Sequence, residues 1–258
     1  MVVFPVVTPG EDLTVSASGY LDYLRCPERS NGRYRGVFTP ATVGGFTGQL
    51  AHRMFARRLK SGPIPDGDFA AACRQEIGQG LNTSMNEAGL ARLSALQPVI
   101  AQVHALMARF ERLGGEGFVD AEIDVEAQPA PGVTLRGRID ALFGPGCRLV
   151  DWKTGAGLGD AEEQLGFYAL VWALQRGDLP DGVEAVSVTS GERYALRPTV
   201  ADVEATAARV GEMVDTLRRG WAGETEPART AGPWCRHCPL LDECPEGAAA
   251  AALTTHRR

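Results

Sequence analysis

Alternating apolar and polar side chains predict a pair of strands in the middle of the chain. From Val133 to Phe143 the apolar or small positions recur at every second residue, which is the period of a half-buried β-strand. Gly144-Pro145-Gly146 then gives a strong turn signal, and the segment from Arg148 to Lys153 returns as a second strand. The pattern therefore predicts a β-hairpin.

Segments of helical period lie on both sides of this hairpin. Helices are predicted from about Ser18 to Arg25, Gln49 to Leu59, Asp68 to Leu113 with an interruption, Ala161 to Arg176 and Thr199 to Trp221, with further strands at 118–126 and 183–189. Thr199 is the expected N-cap of the last helix. Residues 247–258 have no packing pattern and are predicted to be a disordered tail or a frayed helix. The order of elements indicates a mixed α/β fold.

Two acids and a lysine share the predicted hairpin. Asp151 and Lys153 are two residues apart and lie on one face of their strand, and Asp140 can lie beside Asp151 across the hairpin. Two carboxylates can hold a hard divalent cation, which activates water and neutralises charge on a phosphate. A nearby ammonium can orient the water or offset further negative charge. The spacing therefore indicates metal-assisted cleavage of a phosphodiester.

Charged residues on a hairpin also occur for solubility alone, and an isolated Asp with Asp-x-Lys does not exclude that reading. The chain has only two lysines, Lys60 and Lys153, against many arginines, which suggests a specific need for an ammonium at residue 153. Glu122 lies in a predicted strand with alternating charge and is expected on a solvated face.

Cysteines cluster near the end of the chain. Three of the six occur within ten residues, at Cys235, Cys238 and Cys244, and the last two are each followed by proline. Cys26 is followed by proline as well and is the natural fourth ligand. Four thiolates suit either a zinc ion or an iron–sulfur cluster, and the spacing alone leaves both open. The other two, Cys73 and Cys147, are expected to be ordinary buried or half-buried thiols.

Composition and charge restrict the class of protein. A length of 258 residues fits one large domain, and no segment reaches the length of a transmembrane helix. Nothing at the N-terminus resembles a signal peptide, so a cytoplasmic protein without disulfides or membrane contact is expected. The net charge of −6 argues against a protein that coats DNA, although a local basic path remains compatible with it.

Taken together, the motifs resemble the PD-(D/E)xK nuclease superfamily, and within it the RecB-like exonucleases that carry an iron–sulfur cluster. That group includes the AddB nuclease domain and the CRISPR-associated adaptation nucleases. The matching motifs are Gly48-x-x-x-His52, Gly137-x-x-Asp140, Asp151-x-Lys153, Gln164-x-x-x-Tyr168, and Cys26 with Cys235-x-x-Cys238-x₅-Cys244. Each motif alone is weak, whereas all of them in this order are specific.

The resemblance implies a role for each matching residue. His52, Asp140, Asp151 and the backbone carbonyl of Trp152 would bind Mg²⁺ or Mn²⁺, and Lys153 would assist the attacking water. Gln164 and Tyr168 are at i and i+4, so both can face one groove, and they would help to hold the DNA strand and the lysine. The four matching cysteines would hold a structural [4Fe–4S] cluster that joins the N- and C-terminal regions.

The fold implied is a restriction-endonuclease-like mixed central sheet flanked by helices. It would form a single nuclease domain over 1–246, with a helical insertion at about 68–113. The implied activity is a metal-dependent DNA exonuclease acting on single-stranded DNA or DNA ends, in repair, recombination or CRISPR spacer processing. Exonuclease and endonuclease action, and cleavage polarity, remain open at this stage.

Two other functions remain open. One is a non-catalytic DNA-binding or scaffold subunit of a helicase–nuclease or integrase complex, although such a subunit has no evident need for all of Asp140, Asp151 and Lys153. The other is a zinc-stapled domain of unrelated function. The chain lacks a Gly-x-x-x-x-Gly-Lys-Ser/Thr loop, so a helicase or CRISPR integrase would be a separate partner.

Overall fold

The computed structural model describes residues 2–255. In chain order these residues form β1 (Leu13–Ser16), α1 (Ala17–Arg25), α2 (Pro27–Tyr34), α3 (Val43–Ser61), α4 (Asp66–Gly78), α5 (Asn82–Glu87), α6 (Leu93–Phe110), β2 (Phe118–Ala130), β3 (Val133–Phe143), β4 (Arg148–Lys153), α7 (Ala161–Arg176), β5 (Gly182–Ser187), β6 (Arg193–Leu196), α8 (Val200–Trp221) and α9 (Pro245–Thr255). The predicted mixed sheet flanked by helices is confirmed.

Strand β3 is the centre of the sheet. Its whole length pairs antiparallel with β2 on one side. On the other side its first residues pair parallel with β1, and its last residues pair antiparallel with β4, as the hairpin prediction requires. Strand β5 lies parallel to β4, and β6 closes the sheet as an antiparallel strand.

A gap in the ladder lies along one side of β3. The pairing with β1 ends at Arg136, and the pairing with β4 starts at Ala141, opposite Val150. Residues 137–140 of β3 therefore face a space between two ladders, and β4 diverges from β3 beyond Val150. Such an opening exposes backbone groups and side chains that a continuous ladder would cover.

Helices cover the sheet in two layers, each with its own hydrophobic cluster. Helices α1, α7 and α8 pack with β1 and much of β3 around fully buried residues such as Leu135, Phe167 and Leu217. Helices α3, α4 and α6 form the second cluster around Phe55, with Val150 and Trp152 of β4. Helices therefore pack on both faces of the sheet, which keeps the strands in position and maintains the gap beside β3.

The local sequence pattern predicts the helices at about 68–113 and the start of α8. The insertion expected at about 68–113 consists of α4, α5 and α6, followed by a short 3₁₀ turn at Glu111–Leu113. Thr199 caps α8 through a reciprocal bond pair with Asp202, as predicted. None of the helices in the described part of the chain combines the length and the apolar character that a membrane span requires.

The expectation of a disordered tail over 247–258 needs correction. Residues 245–255 form α9, and residues 256–258 lie outside the described part of the chain. Pro245 suits the first turn of a helix, and the alanine run from Ala248 has the highest intrinsic helix propensity. The helix also packs against the cysteine segment, so high propensity and local contacts replace the missing amphipathic pattern.

Candidate functional site

Asp140 lies in the gap beside β3 and joins two other elements. Its Oδ1 atom is 2.9 Å from Nδ1 of His52 on α3, and its Oδ2 accepts the backbone N–H of Trp152 at 2.7 Å. The carboxylate thus satisfies a β4 amide beyond the end of the β3–β4 ladder. The side chain therefore fixes both the width of the gap and the position of the next strand.

Asp151 is the most enclosed acid of the group, with a side chain that is 6 % exposed. Gln164 Nε2 donates a hydrogen bond to its Oδ1 at 2.9 Å. The Lys153 ammonium lies 2.8 Å from Oδ2 and forms an ion pair with it. The buried carboxylate is therefore held between an amide and an ammonium, and its oxygens are of the type that hard divalent cations prefer as ligands.

Helix α7 supplies the polar residues behind the two acids. Lys153 donates to Gln164 Oε1, and Gln164 Nε2 also donates to the Tyr168 hydroxyl at 2.9 Å. Gln164 and Tyr168 face the same side of α7, as their i and i+4 spacing predicts. Lys153, Gln164 and Tyr168 form one hydrogen-bonded network with Asp151, which holds the lysine in a fixed position.

Gly137 explains why α7 can approach β3 so closely. A Cβ atom at this residue would lie 3.0 Å from Cε1 and 3.1 Å from Cδ1 of the Tyr168 ring. The ring is buried, and its hydroxyl is held by Gln164, so it has little freedom to move away. The glycine of the Gly137-x-x-Asp140 motif is therefore required by packing.

We expect Gly137→Ala to lower the free energy of unfolding by about 1–3 kcal/mol, because an added methyl group overpacks the contact with Tyr168. The displaced ring would carry Gln164 with it. Urea denaturation measures the loss, with Gly67→Ala as the control, since a Cβ at Gly67 meets no atom within 4 Å. An unchanged unfolding midpoint in Gly137→Ala would contradict this account.

The pKa values of the site report an excess of negative charge. Burial lowers the pKa of His52, but Asp140, Asp151 and Glu122 outweigh it and raise that pKa to about 9. Burial and the charge of Asp140 raise the pKa of Asp151 to about 6, against the opposing effect of Lys153. Burial, followed by these carboxylates, also raises the pKa of Tyr168. A site that disfavours its own anions in this way favours an added cation.

Glu122 was expected on a solvated face, but it lies at the site. It lines an open groove of about 470 Å³ together with His52, Asp140 and Arg138. Its backbone has φ = 53°, a left-handed conformation that costs a non-glycine residue about 1–3 kcal/mol. An exposed ion pair such as the one with Arg138 gives about 0–1 kcal/mol, which is too little to explain the strain.

The arginines near Cys26 do not form a free basic surface. Arg29 and Arg33 both pair with the buried Asp22, Arg25 pairs with Asp160, and Arg35 pairs with Glu28. These residues therefore stabilise α1 and α2. A second groove lies next to the first and is lined on α3 by Arg53, Arg57 and Lys60, and Arg53 and Arg138 line both grooves. Arg57 also pairs with Glu76, Lys60 with Asp120 and Arg58 with Glu111.

One cavity is lined by residues of α2 and α9 and by four cysteines: Cys26, Cys235, Cys238 and Cys244. Each sulfur is near a backbone amide: Thr230 for Cys26, Gly232 for Cys235 and Gly247 for Cys244, at 3.3–3.4 Å, while Leu240 provides the backbone bond for Cys238. Amide donors of this kind favour thiolates. Even so, no group of three or more His, Cys, Asp or Glu side chains in residues 2–255 has the arrangement of a preformed metal site.

The remaining two cysteines lie apart from this cavity. Cys73 is fully buried in the cluster of α3, α4 and α6, and burial raises the pKa of its thiol to about 12. Cys147 is half-buried at the start of β4, and burial with nearby aspartates raises the pKa of its thiol to about 11. Both fit the expectation of ordinary, unreactive thiols.

One solved structure of low sequence identity has the same fold. A crystal structure of an exonuclease candidate from Eubacterium rectale matches with a TM-score of 0.56 and 16% sequence identity, over 88% of this chain and 86% of that chain. The crystal structure of SSO0001 aligns with a TM-score of 0.42 and 14% identity, over 93% and 90% of the two chains. A search of the curated proteins found no match.

Family membership is established by the sequence as a whole. The model of the PD-(D/E)XK nuclease superfamily matches residues 14–245, which extend from β1 to the start of α9. The matched range contains the gap beside β3, both acids of the hairpin, the α7 residues and the cysteine segment. The chain belongs to the PD-(D/E)XK nuclease superfamily.

Proposed function

We propose that this protein is a divalent-metal-dependent DNA exonuclease that acts on single-stranded DNA or on DNA ends. One observation carries the proposal: Asp140, Asp151 and Lys153 meet at the gap in the sheet, and Gln164 of α7 bonds to both Asp151 and Lys153. A site used only for stability has no need to place a buried acid close to a second acid, because burial and the neighbouring charge both disfavour its ionised form.

The chemistry of the side chains suits a hard divalent cation, although no three or more of them among residues 2–255 are already placed around a common metal position. His52, Asp140, Asp151 and the backbone carbonyl of Trp152 would hold Mg²⁺ or Mn²⁺, since carboxylate and carbonyl oxygens are preferred ligands of these ions. A bound cation would supply an activated water and neutralise charge that builds on the phosphate. The proton that His52 holds at its raised pKa would leave when the histidine became a ligand.

The other side chains would prepare the site for the reaction. Lys153, fixed by Asp151 and Gln164, would place its ammonium beside the attacking water. Gln164 would keep both partners in position, and Tyr168 would hold Gln164 through its hydroxyl. Such prepositioning is the main contribution that a protein makes to phosphoryl chemistry.

The pathway is proposed from what the chain does and does not supply. Repair, recombination and the trimming of new CRISPR spacers all need a nuclease that acts on ends. In these pathways we propose a helicase for unwinding and an integrase for spacer insertion as the partners of the nuclease. Arg53 and Arg57 beside the groove would contact the phosphate backbone.

Linear and circular single-stranded DNA distinguish an exonuclease from an endonuclease. We expect the purified protein with Mn²⁺ to degrade linear single-stranded DNA stepwise and to leave a circle of the same sequence intact. EDTA should stop the reaction. Fragmentation of the circle would show endonuclease action, and binding without any cleavage would favour a scaffold role in a larger complex.

We further propose that Cys26, Cys235, Cys238 and Cys244 hold a [4Fe–4S] cluster that joins α1 and α2 to the C-terminal segment. Support comes from the shared cavity and from the backbone amide near each sulfur. Hydrogen bonds from backbone amides to the sulfur atoms are a feature of iron–sulfur cluster sites. The same donors suit zinc, so the metal needs a direct measurement.

Anaerobically purified protein should be brown, with about four iron and four sulfide per chain. We expect Cys26→Ala to lose the colour and the iron, because one of four thiolate ligands is gone. Cys147→Ala is the matched control, since that thiol lies outside the cavity, and it should keep both. A colourless wild-type protein with stoichiometric zinc would contradict the cluster.

A further inference from the structure

Glu122 occupies a distorted position directly across from Asp140. Its neighbours Ala121 and Ile123 pair with Ala141 and Ile139, so Glu122 stands opposite Asp140 on the adjacent strand. Among residues 2–255, it is the only non-glycine residue with a positive φ. The pairs that flank Glu122 keep one register from Asp120 to Ala127, and a register shift lies just before them, between Phe118 and Asp120.

The groove brings Glu122 and Asp140 to the same surface. Both line it, with His52, whereas Asp151 lies behind it, buried and bonded to Gln164. A cation that enters from solvent therefore meets the carboxylates of Glu122 and Asp140 first. Farther in, the buried carboxylate of Asp151 forms an ion pair with Lys153.

The ion pair with Arg138 does not explain the left-handed backbone of Glu122. Arg138 already makes two hydrogen bonds to Asp124, at 2.8 and 3.2 Å, and its bond to Glu122 is longer, at 3.3 Å. The Asp124 side chain is 72 % exposed and needs no unusual backbone, whereas that of Glu122 is 23 % exposed. Asp124 alone is therefore enough to pair with Arg138 and to place a solvated charge on this part of β2.

We propose that Glu122 supplies a further carboxylate ligand to the divalent-cation site of Asp140 and Asp151. The inference rests on the proposed function, because it requires a cation at that site. Carboxylate oxygens are the ligands that hard cations prefer, and a cation removes the repulsion between two facing acids. Backbone strain of this kind concentrates at functional sites, where it holds a side chain in its working position.

Titration of the protein with Mn²⁺ in a calorimeter, without DNA, tests this directly. The anaerobically purified chain is first dialysed free of divalent cations. We expect Glu122→Gln to weaken Mn²⁺ binding by about tenfold or more, a loss typical of groups that support a metal site. Asp124→Asn, on the same strand and bonded to the same arginine, should stay within about twofold because exposed charges are well screened.

A second variant separates ligand loss from misfolding. Glu122→Gly removes the carboxylate and also relieves the left-handed strain, so it should weaken Mn²⁺ binding without lowering the melting temperature. If both Glu122 variants bind Mn²⁺ as Asp124→Asn does, while Asp151→Asn loses binding, Glu122 is not a ligand and the nuclease proposal stands. If wild-type protein binds no Mn²⁺, both proposals fail.

Discussion

Asp151→Asn is expected to lower metal-dependent DNA cleavage by at least about 10²-fold, the loss that follows removal of a single preorganised electrostatic group. The substitution keeps the shape of the side chain but removes the charge of a proposed metal ligand. It also replaces an acceptor of the Gln164 amide and the charge that holds Lys153. Initial rates on end-labelled single-stranded DNA in Mn²⁺ measure the effect.

The folded state should survive this change. The raised pKa of Asp151 means that folding favours its protonated form, so its contribution to stability falls as the pH rises from its ordinary value of 3.8 to about 6. Without metal at pH 8, Asp151→Asn should therefore melt at or above the wild-type temperature. Asp124→Asn is the matched control and should cleave at the wild-type rate, while a fully active Asp151→Asn would refute the assigned site.

Lys153→Met should also lower cleavage by about 10²-fold or more, while Mn²⁺ binding is retained. Methionine keeps much of the apolar stem but supplies no ammonium beside the attacking water. Loss of the ammonium leaves Asp151 without its ion-pair partner, which increases the need for a cation at that carboxylate. Calorimetry with Mn²⁺ and cleavage rates on the same preparation separate binding from turnover.

The other lysine of the chain provides the control for this prediction. Lys60 lies on α3 with an exposed side chain and pairs with the exposed Asp120. Lys60→Met should leave turnover at saturating DNA unchanged. If Lys153→Met cleaves as fast as Lys60→Met, the ammonium has no part in the reaction, and the proposed role of Lys153 is wrong.

The sequence allowed much of the site to be anticipated because its residues follow local rules. The alternation around Asp140 and the turn at Gly144-Pro145-Gly146 set the hairpin, and the hairpin register sets which acids can meet. The i and i+4 spacing of Gln164 and Tyr168 follows from helix geometry alone. The grouping of Cys26 with the distant C-terminal cysteines came from the resemblance and from the proline that follows each of three of them.

Long-range features could not be predicted in this way. The gap beside β3 exists because β1, from far earlier in the chain, pairs with the first residues of β3 while β4 pairs with the last. The hydrogen bond from the Trp152 backbone amide to Asp140 spans that gap. The alternation of apolar and polar residues does not predict it. The left-handed backbone of Glu122 is not predicted by the sequence pattern either. Register shifts near both ends of the β2–β3 pairing mean that counting residues from either end would not have placed Glu122 opposite Asp140.

The most direct test of the central claim is cleavage of end-labelled single-stranded DNA by the anaerobically purified wild-type chain. Parallel reactions contain Mn²⁺, Mg²⁺ or EDTA. The proposed site requires a ladder of shortened products with either metal and none with EDTA. Intact DNA in every reaction, from a folded protein that binds Mn²⁺, would contradict a nuclease and leave a binding role in its place.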